Sequence, residues 1–501
     1  IKNSPPQQIS FSGTIKKNPI VTSFVDGFDY DNIPFSGSFS SNQTDSALQV
    51  KATVPYLLYQ TKRVSNAIID IASLNNKISG ALNFGTLHFG SNTFYKTGIN
   101  ATVAGDSLSI AATTKDTKNK DRFAIGADID RKDYGYTFSL KDTLVLDYKK
   151  WNVAAGNKIT YSPKGILVND FLLTSNGSRI AAISRENMLN SPIDITIENF
   201  NIKNISSMLN SDTLLAAGII NGKFSVSEFN KKIPAFTGTF QIDSLQLMQQ
   251  PVGDIKLFTE KIEENTITAT LGLTGNGNNV AAKGNYYLNA DTNQFDADVN
   301  IANLNMRTLQ AFSQGKIENA SGSIKGSVKV DGKFTAPQWN GAVSFDTARF
   351  TIAQLGTPYA ITNQTITLQY PNIQFNDFTV KDSVANVMTV NGRVTSTSIT
   401  EYDLDLDIKA KNFIVVNMKK ALANQVYGFA AMDADISVKG NASTPAIEGN
   451  LALTDKTDVT LVLPESNVNK DAAKSVVKFI DRDTFALPQK KPPVVVSAAN
   501  T

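Results

Sequence analysis

Reactive side chains are few in this sequence, and they do not cluster. His88 is the only histidine among the 501 residues, and the chain contains no cysteine. A zinc site takes several histidine or cysteine ligands, so His88 is better explained as a hydrogen-bonded strand residue than as a metal ligand. Without cysteine the sequence also excludes disulfides, zinc-thiolate sites and thiol catalysis.

Acidic side chains are regularly spaced at Asp403, Asp405 and Asp407. Carboxylates in such an array can bind calcium, but in a strand this spacing places them on one exposed face, where charge mainly keeps the sheet soluble. A glycine-rich stretch from Gly272 to Gly284 lacks the Gly-Lys-[Ser/Thr] sequence that holds a phosphate, and its Thr274–Gly277 part predicts a turn. We therefore predict no enzyme activity, no metal and no cofactor.

The composition indicates a folded chain whose charges form no patch that would attract nucleic acid. Hydrophobic residues make up 41% and charged residues 19%, and 48 basic and 45 acidic residues give a formal net charge of +3. These charges are interspersed, so nucleic acid is not an expected partner. The longest apolar stretch, Leu214 to Ile220, is shorter than the roughly 20 residues of a membrane-spanning helix. Because the chain begins at Ile1 without a signal-peptide pattern, we expect a fragment or a processed product.

Alternation of apolar and polar residues is the dominant pattern. It is most regular from Tyr402 to Ala410, where only a strand puts all the apolar side chains on one face. Short hairpins between such segments join antiparallel neighbours, so the sequence predicts an all-β protein. Tight turns are predicted at four dipeptides that favour positive φ, namely Asn176-Gly177, Asn221-Gly222, Asp331-Gly332 and Asn391-Gly392.

A long repeat organises the chain. The signature Asp-x-x-x-x-Asn-[Phe/Leu] occurs at Asp194–Phe200, Asp298–Leu304 and Asp407–Phe413. Each copy is followed by a glycine and then by a Pro-x-x-x-Gly element, with a period of about 105 residues. Such repeats build stacks of similar units with elongated surfaces. The recurring glycines are Gly218, Gly322 and Gly428, and the recurring prolines are Pro234, Pro337 and Pro445.

The repeat predicts three parts. Residues 1–190 form a divergent N-terminal part of the same β-structure, residues 191–465 hold three repeats, and residues 466–501 combine an amphipathic helix at Lys470–Phe485 with a linker. One short helix is also predicted after each signature, at Ile205–Leu215, Met306–Ile317 and Met418–Tyr427.

The extent of the alternation favours an open sheet. A β-sandwich closes its core within about 100 residues, whereas here the pattern continues along the whole chain. We therefore predict an elongated, repetitive antiparallel β-sheet curled into a U-shaped groove. Exposed apolar surface costs roughly 25 cal/mol per Å², so acyl chains are the expected occupant; a closed core is the alternative. The predicted lining residues are Ile193, Ile195, Ile197, Phe295, Val299, Ile301, Ile366, Leu368, Leu404, Leu406 and Ile408.

The run from Asp298 to Phe485 resembles the TamB family (translocation and assembly module) of the Bacteroidota, within the wider AsmA-like group. That resemblance implies a periplasmic protein, anchored in the inner membrane, whose U-shaped sheet, called a β-taco, encloses a hydrophobic groove. We expect the N-terminal anchor, and the C-terminal segment that would meet a TamA-like outer-membrane barrel, to lie outside this chain. The similarity rests on the order and spacing of Asp331-Gly332-Lys333-Phe334, Pro337–Gly341, Tyr402–Phe413, Tyr427-Gly428, Pro445–Gly449, Thr460–Glu465 and Val476–Asp481.

Bridge-like transport of phospholipids between the inner and outer membranes is the predicted function, with acyl chains carried along the groove. Two alternatives use the same sheet differently. A periplasmic assembly factor or chaperone for outer-membrane proteins would offer a sheet edge to unfolded strands by β-augmentation. A structural or adhesive repeat protein would have a closed, dry core.

Overall fold

Antiparallel strands make up most of the structure, which is a computed structural model. It describes residues 6–462 except positions 42–45, 75, 90–91, 133–134, 210–214, 230, 232, 264, 289–293, 397, 399–400 and 421–425. The strands form one sheet of 14 strands and one of 20, and in both the strand order follows the chain order almost throughout. Each sheet is an open path with two ends in the described chain. The prediction of an elongated antiparallel β-sheet is confirmed.

The strands of the first half have the following bounds. They are β1 (Gln7–Ile15), β2 (Phe28–Tyr30), β3 (Ile33–Ser41), β4 (Ser46–Tyr59), β5 (Lys62–Leu74), β6 (Lys77–Phe89), β7 (Asn92–Ala104), β8 (Ser107–Lys115), β9 (Asp121–Lys132), β10 (Gly135–Leu140), β11 (Val145–Leu146), β12 (Lys149–Lys150), β13 (Asn152–Val153), β14 (Lys158–Ser162), β15 (Gly165–Asn169), β16 (Phe171–Ser175), β17 (Ser178–Ser184) and β18 (Ile193–Asn201). The 14-stranded sheet takes β1 to β12 with β14 and β15, and β13 opens the 20-stranded sheet beside β16.

The strands of the second half complete the 20-stranded sheet. They are β19 (Ala216–Ser227), β20 (Ala235–Leu247), β21 (Gln250–Glu263), β22 (Thr266–Gly275), β23 (Asn278–Tyr287), β24 (Phe295–Asn305), β25 (Ile317–Lys333), β26 (Ala336–Ile352), β27 (Thr357–Ile361), β28 (Gln364–Gln369), β29 (Asn372–Lys381), β30 (Val387–Ser396), β31 (Tyr402–Met418), β32 (Val426–Asn441), β33 (Ala446–Leu453) and β34 (Asp458–Leu461).

Within the described residues, short helices follow two of the three signatures. The helices of the described chain are α1 (Pro19–Phe24), α2 (Lys203–Leu209) and α3 (Met306–Phe312). The helices α2 and α3 lie at the first two predicted positions, but α2 begins two residues earlier than predicted and Leu215 lies outside it. The helix α3 is shorter than predicted because Ile317 already pairs with Ile352 in the ladder of β25 and β26.

The third predicted helix, Met418–Tyr427, is corrected at both of its ends. Met418 belongs to β31 and pairs with Gly428 of β32, and Tyr427 also lies in β32. Cross-strand pairing overrides the local helical spacing there, and positions 421–425 between the two strands lie outside the described residues. The predicted helix at Lys470–Phe485 also lies outside them.

Only one of the dipeptides predicted as hairpin turns forms a turn. Asn176 and Gly177, with φ of 48° and 82°, connect β16 to β17 as predicted. The other predictions were wrong, because those dipeptides lie inside strands: Asn221-Gly222 in β19, Asp331-Gly332 in β25 and Asn391-Gly392 in β30.

The positions of Asn221 and Asn391 inside strands are explained by β-bulges in the neighbouring strands, to which their side chains are hydrogen-bonded. Asn199 lies at a bulge in β18 and donates its backbone N–H to Asn221 Oδ1 at 2.9 Å. Asp377 lies at a bulge in β29 and donates its N–H to Asn391 Oδ1 at 2.6 Å. The two bulge residues have φ of 49° and 46°, and the extra residue of a bulge is left without its ladder partner. A side-chain oxygen from the next strand therefore replaces the missing backbone acceptor.

The repeated signature marks such bulges. Because a bulge adds one residue to one strand, it returns the following apolar side chain to the same face of the sheet. Phe200 and Phe413, which end two of the signatures, are only 5% and 2% exposed. Shifts in strand register coincide with every copy of the signature, between Ile197 and Phe200, between Ile301 and Leu304, and between Ala410 and Phe413.

Removing one of these side-chain acceptors should weaken the sheet locally. We expect Asn391→Ala to lower the free energy of unfolding by about 1 kcal/mol, the usual net value of a hydrogen bond, because the Asp377 N–H loses its acceptor. Urea denaturation followed by circular dichroism measures the change. The control Thr389→Ala, two residues earlier in β30, should stay within about 0.5 kcal/mol of the parent. Equal stability of the two variants would contradict the bulge assignment.

Trp151 is fully buried where the two sheets meet. Its ring lies 5.7 Å from that of Phe200 in the second sheet. Leu144 and Leu173 complete the buried cluster, and Leu140 of β10 packs against it from the first sheet. The hydrophobic core therefore continues from one sheet to the other. The division of the chain at residues 190 and 465 stays a prediction.

Candidate functional site

Strand register aligns apolar side chains into one row across the second sheet. Each member lies opposite the next on the neighbouring strand, from β13 to β32, and every member is apolar or glycine. With strands about 4.8 Å apart, this central apolar row is on the order of 75 Å long. Its members are Val153, Leu173, Ile180, Ile197, Gly222, Phe240, Leu257, Leu271, Ala282, Val299, Val328, Gly341, Leu368, Ile373, Val394, Leu404 and Gly440.

The central apolar row is accessible along most of its length. Leu271 is 42% exposed and Leu173 is 7% exposed, and the other side chains of the row are half-buried. The interior of a closed β-structure packs such side chains at nearly crystalline density. Half-burial therefore describes a surface that is apolar but open.

A neighbouring row on the same face is half-buried as well, but it has a partner. It packs against buried clusters that include Met306 and Ala311 of α3, each 3% exposed. This helix packs against one margin of the apolar face, and the clusters that it joins contain no member of the central apolar row. The members of the neighbouring row in these clusters are Ile242, Ile255, Leu273, Val343 and Ile366.

The structure brings the predicted lining residues onto one face. Ile197, Val299, Leu368 and Leu404 are members of the central apolar row. The others lie on the same face of their strands, nearer to one margin or the other; all are half-buried except Ile193, which is 6% exposed. These are Ile193, Ile195, Phe295, Ile301, Ile366, Leu406 and Ile408.

Two of the predicted lining residues also pack against buried clusters. Ile197 packs against the Trp151 cluster, and Ile366 packs against the Met306 cluster. Both side chains are therefore shared between the open face and a local core. For all the predicted residues, contact with a ligand stays a prediction.

The opposite face of the sheet is polar. Asp405 forms an ion pair with Arg393 at 3.1 Å, and Asp194 forms one with Arg185 at 2.9 Å. Hydrogen bonding to the Arg185 guanidinium lowers the pKa of Asp194 below its usual value. These pairs are exposed, so each stabilises the fold only slightly. Asp403, Asp405 and Asp407 all lie exposed on this face.

The first sheet carries a comparable row, which the sequence did not single out. It runs from β1 to β10, and its last member, Leu140, packs against the Trp151 cluster, as Leu173 and Ile197 of the central apolar row do. The two rows therefore meet at one buried cluster. Register identifies the members as Phe11, Gly37, Val50, Ile71, Gly80, Ala101, Ile110, Ala127 and Leu140.

A concavity of about 650 Å³ lies against β18 to β23. Successive members of the central apolar row contribute to its lining, and flanking residues of the same strands, including Lys223 and Lys256, complete it. The row members in the lining are Ile197, Gly222, Phe240, Leu257 and Leu271. Most of the lining residues, including Glu198 as well as the two lysines, alternate with the row along their strands and so belong to the polar face.

His88 has hydrogen-bonding neighbours rather than ligands. Its Nε2 lies 3.0 Å from Arg63 and its Nδ1 lies 2.9 Å from the Thr93 hydroxyl. Partial burial and the nearby Arg63 lower the pKa of this imidazole. Across the described positions, no cluster of His, Cys, Asp and Glu side chains suits a metal ion. No helix in the described ranges has the length and apolar character needed to cross a bilayer.

Comparison with known proteins gives one match. Residues 376–500 match the family model of the TamB C-terminal domain, a region that includes β30 to β34. No curated protein and no solved structure is significantly similar to the chain.

Proposed function

We propose, from the premise that this chain is a TamB/AsmA-like protein, that its apolar face binds the acyl chains of phospholipids and carries them between the inner and outer membranes. The central apolar row is the observation that supports the proposal. It crosses strands from all three predicted repeats with apolar or glycine positions, yet most of its side chains stay half-buried. Leaving such a surface in water costs roughly 25 cal/mol per Å², and a bound acyl chain removes that cost.

Movement along the row requires no chemical step. Dispersion and apolar burial are non-directional, so an acyl chain that leaves Val299 finds an equivalent surface at Val328 and Leu368. In this proposal the headgroup stays in water at the open side of the groove. The predicted lining residues are the proposed contacts, and direction comes from a lipid gradient or from a partner.

The resemblance and the family match support a wider setting, which we also propose. The protein acts in the periplasm, is attached to the inner membrane, and works with a TamA-like outer-membrane barrel. No enzymatic reaction is part of this role.

Photocrosslinking in cells tests the proposed contact directly. A benzophenone side chain replaces Leu406, which is half-buried on the apolar face of β31, or its exposed neighbour Asp405, which lies on the polar face. We expect phospholipid on the Leu406 variant and at least tenfold less on the Asp405 variant, because successive strand residues point to opposite faces. Mass spectrometry of the purified adduct identifies the lipid.

Capture of lipid at neither position would count against transport. The assembly-factor alternative would then gain support if unfolded outer-membrane strands crosslink to the edge strand β33. The structural alternative would gain support if neither position captures lipid or polypeptide.

A further inference from the structure

An apolar patch at the end of the second sheet is left open to solvent. Five side chains of β33 and β34 form this terminal patch, and their exposed fractions range from 39% to 61%. Soluble proteins normally cover contiguous apolar surfaces of this kind. The members are Ile447, Leu451, Leu453, Val459 and Leu461.

Register places the terminal patch on the apolar face. Ile447 lies opposite Val438 of β32, which itself lies opposite Leu406 of β31. Val459 and Leu461 continue the same face where β34 pairs with the beginning of β32. The patch is therefore the C-terminal end of the same apolar surface, at a point where β33 and β34 are the last strands of the described sheet.

The sequence that follows directly has the pattern of a complementary helix. Apolar residues at Ala473, Val476, Val477 and Ile480 have the spacing that lines one side of a helix. Charged residues occupy the other side, at Lys470, Asp471, Lys474, Lys478, Asp481 and Arg482. Such a helix would have an apolar side in need of cover and a charged side suited to water.

The distances fit an association within one chain. Residues 463–469 connect Val462 to this segment and reach up to about 25 Å when extended. A helix over residues 470–485 would be about 24 Å long, and β33, with eight residues, extends about 26 Å. The family match at 376–500 spans the patch and the segment together, as parts of one domain.

We propose that residues 470–485 form a helix whose apolar side docks on the terminal patch and covers the end of the apolar face. The connector keeps the segment at a high effective concentration near the patch, so the chain's own segment is favoured over a second copy or a separate partner. The charged side of the docked helix then faces outward. This inference concerns the terminal patch alone and does not rest on lipid binding.

Cysteine crosslinking tests the docking, and the natural absence of cysteine makes the assignment unambiguous. In the full chain, Leu451→Cys is combined in turn with Ala473→Cys, Val477→Cys and Ile480→Cys, and a short bismaleimide is added to dilute, lipid-free protein. We expect at least one pair to give an intramolecular crosslink in most molecules, detected by faster migration on denaturing gels and by peptide mass spectrometry. Leu451 is 54% exposed, so the substitution should not disturb folding.

The matched control moves the first cysteine to the other face of the sheet. Asn450→Cys lies next to Leu451 in β33 and points away from it, so the same three partners should crosslink at least fivefold less. Equal yields from positions 450 and 451 would overturn the proposal, because they would indicate random collision of an undocked segment. Crosslinks only between molecules would overturn it in favour of a second copy, and no crosslink at either position would also reject it.

Discussion

Replacing Leu368 by aspartate is expected to stop the proposed passage of acyl chains while leaving the sheet folded. Leu368 lies in the middle of the central apolar row, between Gly341 and Ile373. A carboxylate against hydrocarbon costs several kcal/mol, and each 1.4 kcal/mol changes an equilibrium tenfold. In the photocrosslinking experiment with the benzophenone at position 406, we expect the Leu368→Asp variant to capture at least tenfold less phospholipid. The loss should be greatest for lipid that enters the row from the β13 end, because that lipid must pass Leu368 to reach position 406.

The adjacent residue provides the control for this experiment. Thr367→Asp introduces the same charge in β28 but on the exposed polar face, so lipid capture should be unchanged. Circular dichroism and the melting temperature of both variants report whether the sheet persists. If Thr367→Asp reduces capture as strongly as Leu368→Asp, or if neither does, the central apolar row is not the path.

Replacing Phe413 by alanine is expected to cause the largest loss of stability. Phe413 is 2% exposed and stacks on Tyr359, with ring centroids 5.6 Å apart and planes 7° from parallel. Truncating a buried phenylalanine costs about 3–5 kcal/mol through lost burial and the remaining cavity. The effect should be local, since each part of a repetitive sheet contacts mainly its neighbours. Hydrogen exchange of the amides in β27 and β31 measures it, and protection should fall by at least a hundredfold.

A surface phenylalanine tests whether the loss reflects burial. Phe24→Ala, at a position that is 83% exposed in α1, should change stability by less than about 0.5 kcal/mol. In the Phe413→Ala variant the Tyr359 hydroxyl, whose pKa is raised by burial, should titrate nearer to its ordinary value. Unchanged exchange rates in β31 would refute the assignment of Phe413 to a tight core.

Local patterns in the sequence were sufficient to predict the strands. The alternation from Tyr402 to Ala410 corresponds to β31, with Leu404 and Leu406 on one face and Asp405 on the other. Alternation depends only on the pleat of the backbone, so it survives in any sheet. The spacing of the signature likewise predicted a repeat, and the structure adds its physical meaning as a recurring β-bulge.

Pairings between strands could not be predicted from the same patterns. Asn391 was interpreted as a turn residue because Asn-Gly favours positive φ locally, whereas its side chain is used by Asp377 on another strand. The central apolar row depends on the register of every pair of strands, and a shift of one residue would reverse the faces. No local pattern specifies that Val299 meets Val328. The first-sheet row was missed for the same reason.

The agreement between strand order and chain order has a mechanical consequence. Consecutive strands are hydrogen-bonded neighbours almost throughout, and the two ends of the second sheet are β13 and β34. A pull applied to the ends of such a sheet acts along the inter-strand hydrogen bonds, which lie perpendicular to the strands, and every strand pair in the series carries the same load. In the proposed role, if the two membranes moved apart, such a bridge would lengthen by releasing single strands from its ends at low force, and it would re-form by adding them back in order.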